Sequence, residues 1–108
     1  GESTFQSCYS LSGKLILPTT LKEIGPWAFN KCKGLIGDLT IPYGVEKIEH
    51  DAFQACTGFN GKLTIPNTVT EIGYEAFYNC SGLTGEINTT GVTIGEDAFY
   101  GCSGITIK

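Results

Sequence analysis

The sequence has no methionine, a single histidine and a single tryptophan, and only seven Lys or Arg residues against eleven Asp or Glu residues. The basic residues are scattered along the chain and form no cluster, which disfavours a nucleic acid or an anionic membrane as partner. No apolar run approaches the roughly 18 residues that a membrane-spanning helix needs, and no charged-then-apolar leader is present. We therefore expect no nucleic-acid binding and no direct membrane insertion.

The main positive feature is a repeat with a period of about 24 residues. Its unit reads apolar-x-G-x-L-T-I-P-x-x-V-x-x-I-G-x-x-A-F-x-x-C-x-G and is plainest from Leu35 to Gly82. The phenylalanines of the A-F step recur at this period, except that the last comes two positions early: Phe5, Phe29, Phe53, Phe77 and Phe99. A cysteine lies at the third position beyond each: Cys8, Cys32, Cys56, Cys80 and Cys102. A fixed period of this kind predicts a solenoid, because one coil cannot bury its apolar face without stacking on its neighbours.

Each apolar position of the unit then becomes a column of equivalent side chains that point into the core. Besides the Phe and Cys columns, these are Leu15, Leu39, Leu63 and Ile87; Leu17, Ile41 and Ile65, interrupted by Thr89; Leu21, Val45, Val69 and Val92; Ile24, Ile48, Ile72 and Ile94; Ala28, Ala52, Ala76 and Ala98; and Leu11, Leu35, Phe59, Leu83 and Ile105. About 4.5 coils of this length fit in the chain.

The pattern within one unit predicts mainly parallel β-structure. In Leu39-Thr40-Ile41 the outer two side chains share one face and the threonine opposes them, as in a strand, and Pro42 ends that strand. A second short extended piece leads to a glycine at positions 25, 73 and 95, which can take a positive φ. The following A-F-x-x-C step suits one turn of α-helix or 3-10 helix.

These residues resemble a known family. The segment IPNTVTEIGYEAFYNC, from Ile65 to Cys80, is similar to the BspA-like (Treponema-type) leucine-rich repeats, as is the G-x-L-T-I-P opening. The resemblance implies a right-handed leucine-rich-repeat solenoid. It also implies a long secreted or cell-surface protein, with adhesion to host or bacterial surface proteins as the activity ascribed to some members.

The domain boundaries expected from this interpretation are a leucine-rich repeat domain over 5–108 and an N-terminal remnant over 1–4. The lack of a methionine and of atypical end repeats suggests a piece cut from a longer array. Open strand edges at both ends predict self-association through the solenoid ends. The fourth coil departs from the unit, since its proline is missing, Thr89 occupies an apolar position and two residues are deleted. Glu49 also replaces the usual glycine after Ile48.

The residue types that often carry chemistry have structural interpretations here. The cysteines follow the repeat spacing and form neither C-x-x-C nor a Cys/His cluster, so we expect buried, reduced thiols and no metal site. His50 is alone beside Asp51, with no nucleophile in reach of it in the repeat. One carboxylate per coil (Asp51, Glu75 and Asp97) suggests caps of the helical turn in preference to a calcium site. No catalytic residue, cofactor or enzymatic activity is expected.

The outer surface is where a function would lie. The candidate protein-binding face is the row at the middle of the strands, Ile16, Thr40, Thr64 and Asn88, flanked by Lys14, Asp38, Lys62 and Glu86 and adjoined by Tyr43. Variable aromatics offer a second surface: Trp27, Tyr43, Tyr74, Tyr78 and Tyr100. The expected function is a non-enzymatic, extracellular or cell-surface segment that binds a host or bacterial surface protein. The alternative is a structural spacer with no ligand of its own.

Overall fold

The computed structural model describes residues 12–108, and its strands are all parallel. In chain order they are β1 (Ser12–Lys14), β2 (Glu23–Ile24), β3 (Gly34–Thr40), β4 (Lys47–Ile48), β5 (Phe59–Thr64), β6 (Glu71–Ile72), β7 (Thr84–Ile87), β8 (Thr93–Ile94) and β9 (Gly104–Ile107). The odd-numbered strands form one sheet and the even-numbered strands a second. The predicted solenoid is confirmed, with about four turns. Phe5, Cys8 and Leu11 lie outside the described residues, as does the 1–4 remnant.

Strand alternation places the apolar columns in the core and the side chains between them on the surface. Leu39 pairs with Leu63 and is fully buried, whereas Thr40 pairs with Thr64 and both threonines are exposed. In the second sheet Ile48 aligns with Ile24 on one side and with Ile72 on the other. The core therefore lies between the two sheets and the A-F-x-x-C segments, which close each coil.

A glycine within β3 allows a change of register in the larger sheet. Gly37 pairs with Phe59 but Leu39 pairs with Leu63, so the ladder shifts between these two pairs. Gly37 has a φ of 82°, a region where a side chain would be strained. The shift leaves the Gly37 amide free to donate to Asn60 Oδ1 at 3.0 Å. This glycine is thus needed for the bulge that brings the columns into phase.

The prediction of a helical turn at A-F-x-x-C is wrong, because residues 12–108 contain no helix. Each such segment is instead a series of hydrogen-bonded turns that starts with a residue of positive φ: Trp27 at 56°, Asp51 at 58°, Glu75 at 52° and Asp97 at 59°. A second positive φ follows four positions later, for example 60° at Lys31. An α-helix needs negative φ throughout, so these residues interrupt it.

Hydrogen bonding between coils explains why this conformation is preferred. Ala28 N–H donates to Gly25 O within its own coil, but Phe29 N–H donates to Ala52 O of the next coil at 2.7 Å. The same alternation is repeated in the next coil, where Phe53 N–H donates to Ala76 O at 2.7 Å. In a helix all these amides would donate hydrogen bonds within one coil, whereas in the observed turns every second amide donates to the neighbouring coil.

The glycines at 25, 73 and 95 can take a positive φ, but none of them does. Two of them are required by close packing instead. A Cβ at Gly73 would lie 2.6 Å from His50 N and 2.8 Å from Glu49 C, and a Cβ at Gly95 would meet the backbone of Gly73 and Tyr74 in the same way. The left-handed residue lies two positions after each glycine.

The phenylalanines form a continuous stack through the core. Phe29, Phe53 and Phe77 have 0% exposed surface. Their ring centroids are 5.1 Å apart for Phe29 and Phe53 and 5.3 Å apart for Phe53 and Phe77, with nearly parallel planes, and Phe99 extends the stack at 5.2 Å. At the end of the array, Ile94 is 36% exposed, because β8 is paired on one side only. Self-association through such edges stays a prediction.

Candidate binding surface

The row Ile16, Thr40, Thr64 and Asn88, here called the sheet row, lies on or just after four successive strands of the larger sheet. Ile16 is 89% exposed, and Thr40, Thr64 and Asn88 are exposed as well. Thr40 and Thr64 are direct register partners, so these two members of the row lie one strand spacing apart, about 4.8 Å. The structure thus brings these four predicted residues onto one surface that lies outside the core.

Charges of alternating sign run beside the sheet row. Lys14, Asp38, Lys62 and Glu86 are all exposed, and the Nζ of Lys108, two positions beyond Thr106, the register partner of Glu86, lies 3.3 Å from Glu86 Oε1. Asp38 Oδ1 also accepts the Lys62 amide at 2.8 Å. Because opposite charges neighbour each other, this face has no extended field of one sign, and exposed pairs of this kind contribute little stability.

Two further large side chains, Ile36 in β3 and Tyr43 in the turn after it, are exposed. Tyr43, 74% exposed, follows the proline that ends β3. Ile36, 47% exposed, lies on the same face of β3 as Thr40 and is paired with Lys14. Ile36 was not among the predicted surface residues, although strand alternation puts residues 36, 38 and 40 on one face.

The remaining aromatics lie on the turn segments and form separate contacts. Tyr78 and Tyr100 stack with centroids 5.3 Å apart, whereas the Trp27 ring meets the His50 ring edge-on at 4.5 Å. A hydrogen bond with Glu75 raises the pKa of the exposed Tyr74 phenol. These aromatics therefore do not join Tyr43 in one patch; they shield neighbouring coils on the turn side.

The cysteines of the described coils are buried, and Cys56, Cys80 and Cys102 form no disulfide bond. The thiols of Cys56, Cys80 and Cys102 donate to the carbonyl oxygens of Phe29, Phe53 and Phe77 in the preceding coil, each at 2.9 Å. A repeated thiol is thus a small apolar group that also donates one hydrogen bond, which the spacing alone did not reveal. Hydrogen bonds with the Cys102 and Cys56 thiols, together with burial, raise the pKa of Cys80.

This raised pKa predicts a loss of stability at alkaline pH. The ordinary value for the thiol is 9.0, so above about pH 9 the unfolded state loses a proton that folded Cys80 retains. The free energy of unfolding should then fall by about 1.4 kcal/mol per pH unit from this group. Urea unfolding at pH 8, 9 and 10 should show a steeper fall for the wild type than for Cys80→Ala. Parallel pH profiles for the two proteins would contradict the shift.

The carboxylates on the turns do not act as predicted. Because there is no helix here, Asp51, Glu75 and Asp97 do not cap one. Glu75 Oε1 accepts from Gln54 Nε2 at 2.9 Å, and Gln54 Oε1 accepts from Asn30 Nδ2 at 2.7 Å, so one carboxylate ends an amide chain that links coils. His50 Nδ1 lies 3.8 Å from Asp51 Oδ2. Across residues 12–108, no three His, Cys, Asp or Glu side chains are grouped to hold a metal ion.

Two cavities open next to members of the sheet row. One, of about 270 Å³, is lined by Leu15, Ile16, Leu17, Thr19, Thr40 and Pro42. The other, of about 360 Å³, lies where the fourth coil departs from the repeat and includes Asn88 and Thr89. The missing proline and the deletion are visible in the sequence, but they do not predict a cavity, because a shorter coil can also close up.

Comparison with known proteins agrees with the geometry. Residues 1–106 match the BspA type leucine rich repeat region in six copies, and no curated protein or solved structure matches. Proteins with these repeats are often surface-associated. The part of the chain from Ser12 onward has no helix that could cross a membrane. With its repeated unit, its parallel sheets and this match over nearly the whole length, the chain belongs to the BspA-type leucine-rich repeat family.

Proposed function

We propose that this chain is a non-enzymatic, extracellular or cell-surface recognition segment that binds a host or bacterial surface protein through the sheet row. The observation that carries the proposal is the exposure of Ile16, at 89%, at one end of the row, together with Tyr43 at 74%. Water contact of two such large apolar groups is unfavourable, and neither fills a place in the core. A partner that covers them would bury this surface.

The sheet that supports the row also favours binding. The backbones of Thr40 and Thr64 are held in the parallel ladder of β3 and β5, and Ile16 and Asn88 follow β1 and β7 of the same sheet, so the row lies along one hydrogen-bonded sheet. A rigid surface loses little conformational entropy when a partner binds, and the short side chains of Thr40 and Thr64 have few rotamers to lose. The row can therefore change in sequence, and so in specificity, while the columns behind it are kept.

The test is a pair of charge substitutions on the row. Thr40→Arg with Thr64→Arg should reduce adhesion of the chain, displayed on beads, to host epithelial cells or to other bacteria at least tenfold, because two charges would have to be buried unpaired. The melting temperature should stay within about 2 °C, as surface substitutions usually change stability little. The matched control Thr57→Arg, exposed on the turn side, should adhere like the wild type.

Three outcomes would count against this proposal. Unchanged adhesion of the double variant would exclude the sheet row, and a loss confined to Thr57→Arg would place the partner on the turn side. Unchanged adhesion of the whole surface protein after deletion of this segment would favour the structural spacer. The spacer has some support of its own, since exposed ion pairs such as Lys47 Nζ to Glu71 Oε1 at 3.7 Å join neighbouring coils without any partner.

A further inference from the structure

The larger cavity results from the departures of the fourth coil. In the earlier coils the position of Thr89 is held by Ile41 or Ile65, each followed by a proline. Thr89 is shorter, and its Oγ1 donates to Lys108 O at 2.7 Å, so its hydroxyl is directed to the backbone just after β9. With two residues also deleted, the bend of the fourth coil no longer fills the space beside the third.

The walls of this cavity are apolar and its mouth is polar but uncharged. Val69, Ile72 and Ile87 are buried members of the lining, at 2%, 1% and 3% exposed. The exposed members include Asn67, Asn88 and Thr90, and no Asp, Glu, Lys or Arg side chain lines the cavity. Burial of a charge here would leave it unpaired at high cost, whereas an aliphatic group would meet aliphatic walls.

The bend that forms the mouth is held in one conformation. Asn88 Oδ1 accepts the Thr90 amide at 3.0 Å, and the Thr89 amide donates to Lys108 O at 3.1 Å. A mouth fixed in this way keeps the cavity open without a ligand. Its volume of about 360 Å³ is large enough for one branched aliphatic side chain, and it lies at the small end of the range typical of ligand pockets.

We propose that this cavity receives one uncharged aliphatic side chain of the protein that binds the sheet row. The inference rests on the proposed function, because Asn88 is both the last member of the row and part of the cavity wall. The absence of charge in the lining selects the chemistry of the occupant. The cavity then anchors the partner at one end, and the threonines of the row provide the flat contact beside it.

The chemistry can be tested without the partner, with N-acetyl-leucine amide as the probe. Titrated into ¹⁵N-labelled protein, it should shift the amide signals of Asn67, Asn88 and Val92 and saturate with a roughly millimolar dissociation constant. N-acetyl-glutamic acid amide and N-acetyl-lysine amide should bind at least tenfold more weakly. No shifts with the leucine probe, or equal shifts with the charged probes, would overturn the proposal.

The decisive variant is Thr89→Ile, which restores the usual aliphatic residue and fills the cavity. It should weaken leucine-probe binding at least tenfold without lowering the melting temperature, and Thr57→Ile, which adds the same group to an exposed turn, should bind the probe normally. A chain extended after Lys108 by one consensus coil should also still bind the probe. Loss of binding in that extended chain would show that the next coil fills the cavity, and would overturn the proposal.

Failure of this inference is distinguishable from failure of the proposed function. Thr40→Arg with Thr64→Arg should lose cell adhesion but keep probe binding, because neither threonine lines this cavity. Thr89→Ile should lose probe binding and also reduce adhesion. Full adhesion of Thr89→Ile would leave the sheet row as the binding surface and reject the cavity as its anchor.

Discussion

Phe53→Ala is expected to unfold most of the protein at 25 °C. Phe53 has 0% exposed surface, lies between Phe29 and Phe77 in the stack, and also meets the edge of Phe59 at 6.5 Å. Truncation of a buried phenylalanine costs about 3–5 kcal/mol. That is comparable to the whole stability of a small domain, and an array of about four turns has few contacts to spare.

The measurement is urea or thermal unfolding followed by circular dichroism. Phe99→Ala is the matched control, because Phe99 is only partly buried and no described ring lies on its other side. Phe99→Ala should lower the free energy of unfolding clearly less than Phe53→Ala does. If both variants lost the same stability, or if Phe53→Ala melted like the wild type, the stack would not be the continuous core that the structure shows.

The fold could be predicted because its core depends on a simple property. Leu39, Leu63 and the phenylalanines need only be apolar and in phase for coils to stack, and phase is visible in a single sequence. The alternation around Thr40 likewise predicts which side chains face outward. The strand order and the parallel pairing then follow from the repeat, since equivalent segments of successive coils must be neighbours.

The conformation of the turns could not be predicted in the same way, because it depends on hydrogen bonds between neighbouring coils. Trp27 and Asp51 are equivalent positions with a φ of 56° and 58°, yet tryptophan gives no sequence signal for a left-handed conformation. The A-F-x-x-C spacing suits a helical turn when one coil is considered alone. Phe29 N–H to Ala52 O, a bond to the next coil, favours the observed turn, and no local propensity describes it.

The candidate surface was predictable in part. The outward direction of Thr40 and Thr64 follows from strand alternation, whereas the cavity beside Asn88 depends on how the bend of the fourth coil settles after a deletion. Thr89 shows the difference clearly. Its polarity at an apolar position is evident in the sequence, but its hydrogen bond to Lys108 O is a property of the folded coil. The partner itself stays a proposal.

Gly73→Ala is expected to destabilise the protein strongly. The added methyl group would lie 2.6 Å from His50 N, 2.8 Å from Glu49 C and 2.9 Å from His50 Cα. These atoms are backbone, so no side chain can rotate away and the coils must separate. Separation would stretch the Gly73 N–H to Ile48 O bond, now 2.8 Å. Overpacking of this kind typically costs about 1–3 kcal/mol and occasionally more, and we expect about 3 kcal/mol here.

Gly91→Ala is the matched control that separates crowding from backbone strain. A Cβ at Gly91 would meet nothing within 4 Å, but the residue has a φ of 76°. Its substitution should therefore lower the free energy of unfolding only by the strain of placing an alanine in the left-handed conformation, about 1–2 kcal/mol. Urea unfolding should rank the free energies of unfolding as wild type, Gly91→Ala, then Gly73→Ala. Glu49 already carries a side chain at the equivalent position one coil earlier, where the neighbouring coil has Gly25 and Pro26 in place of Glu49 and His50. If Gly73→Ala were as stable as the wild type, the coils would tolerate a Cβ at every turn, and the close approach between them would not explain the repeated glycine.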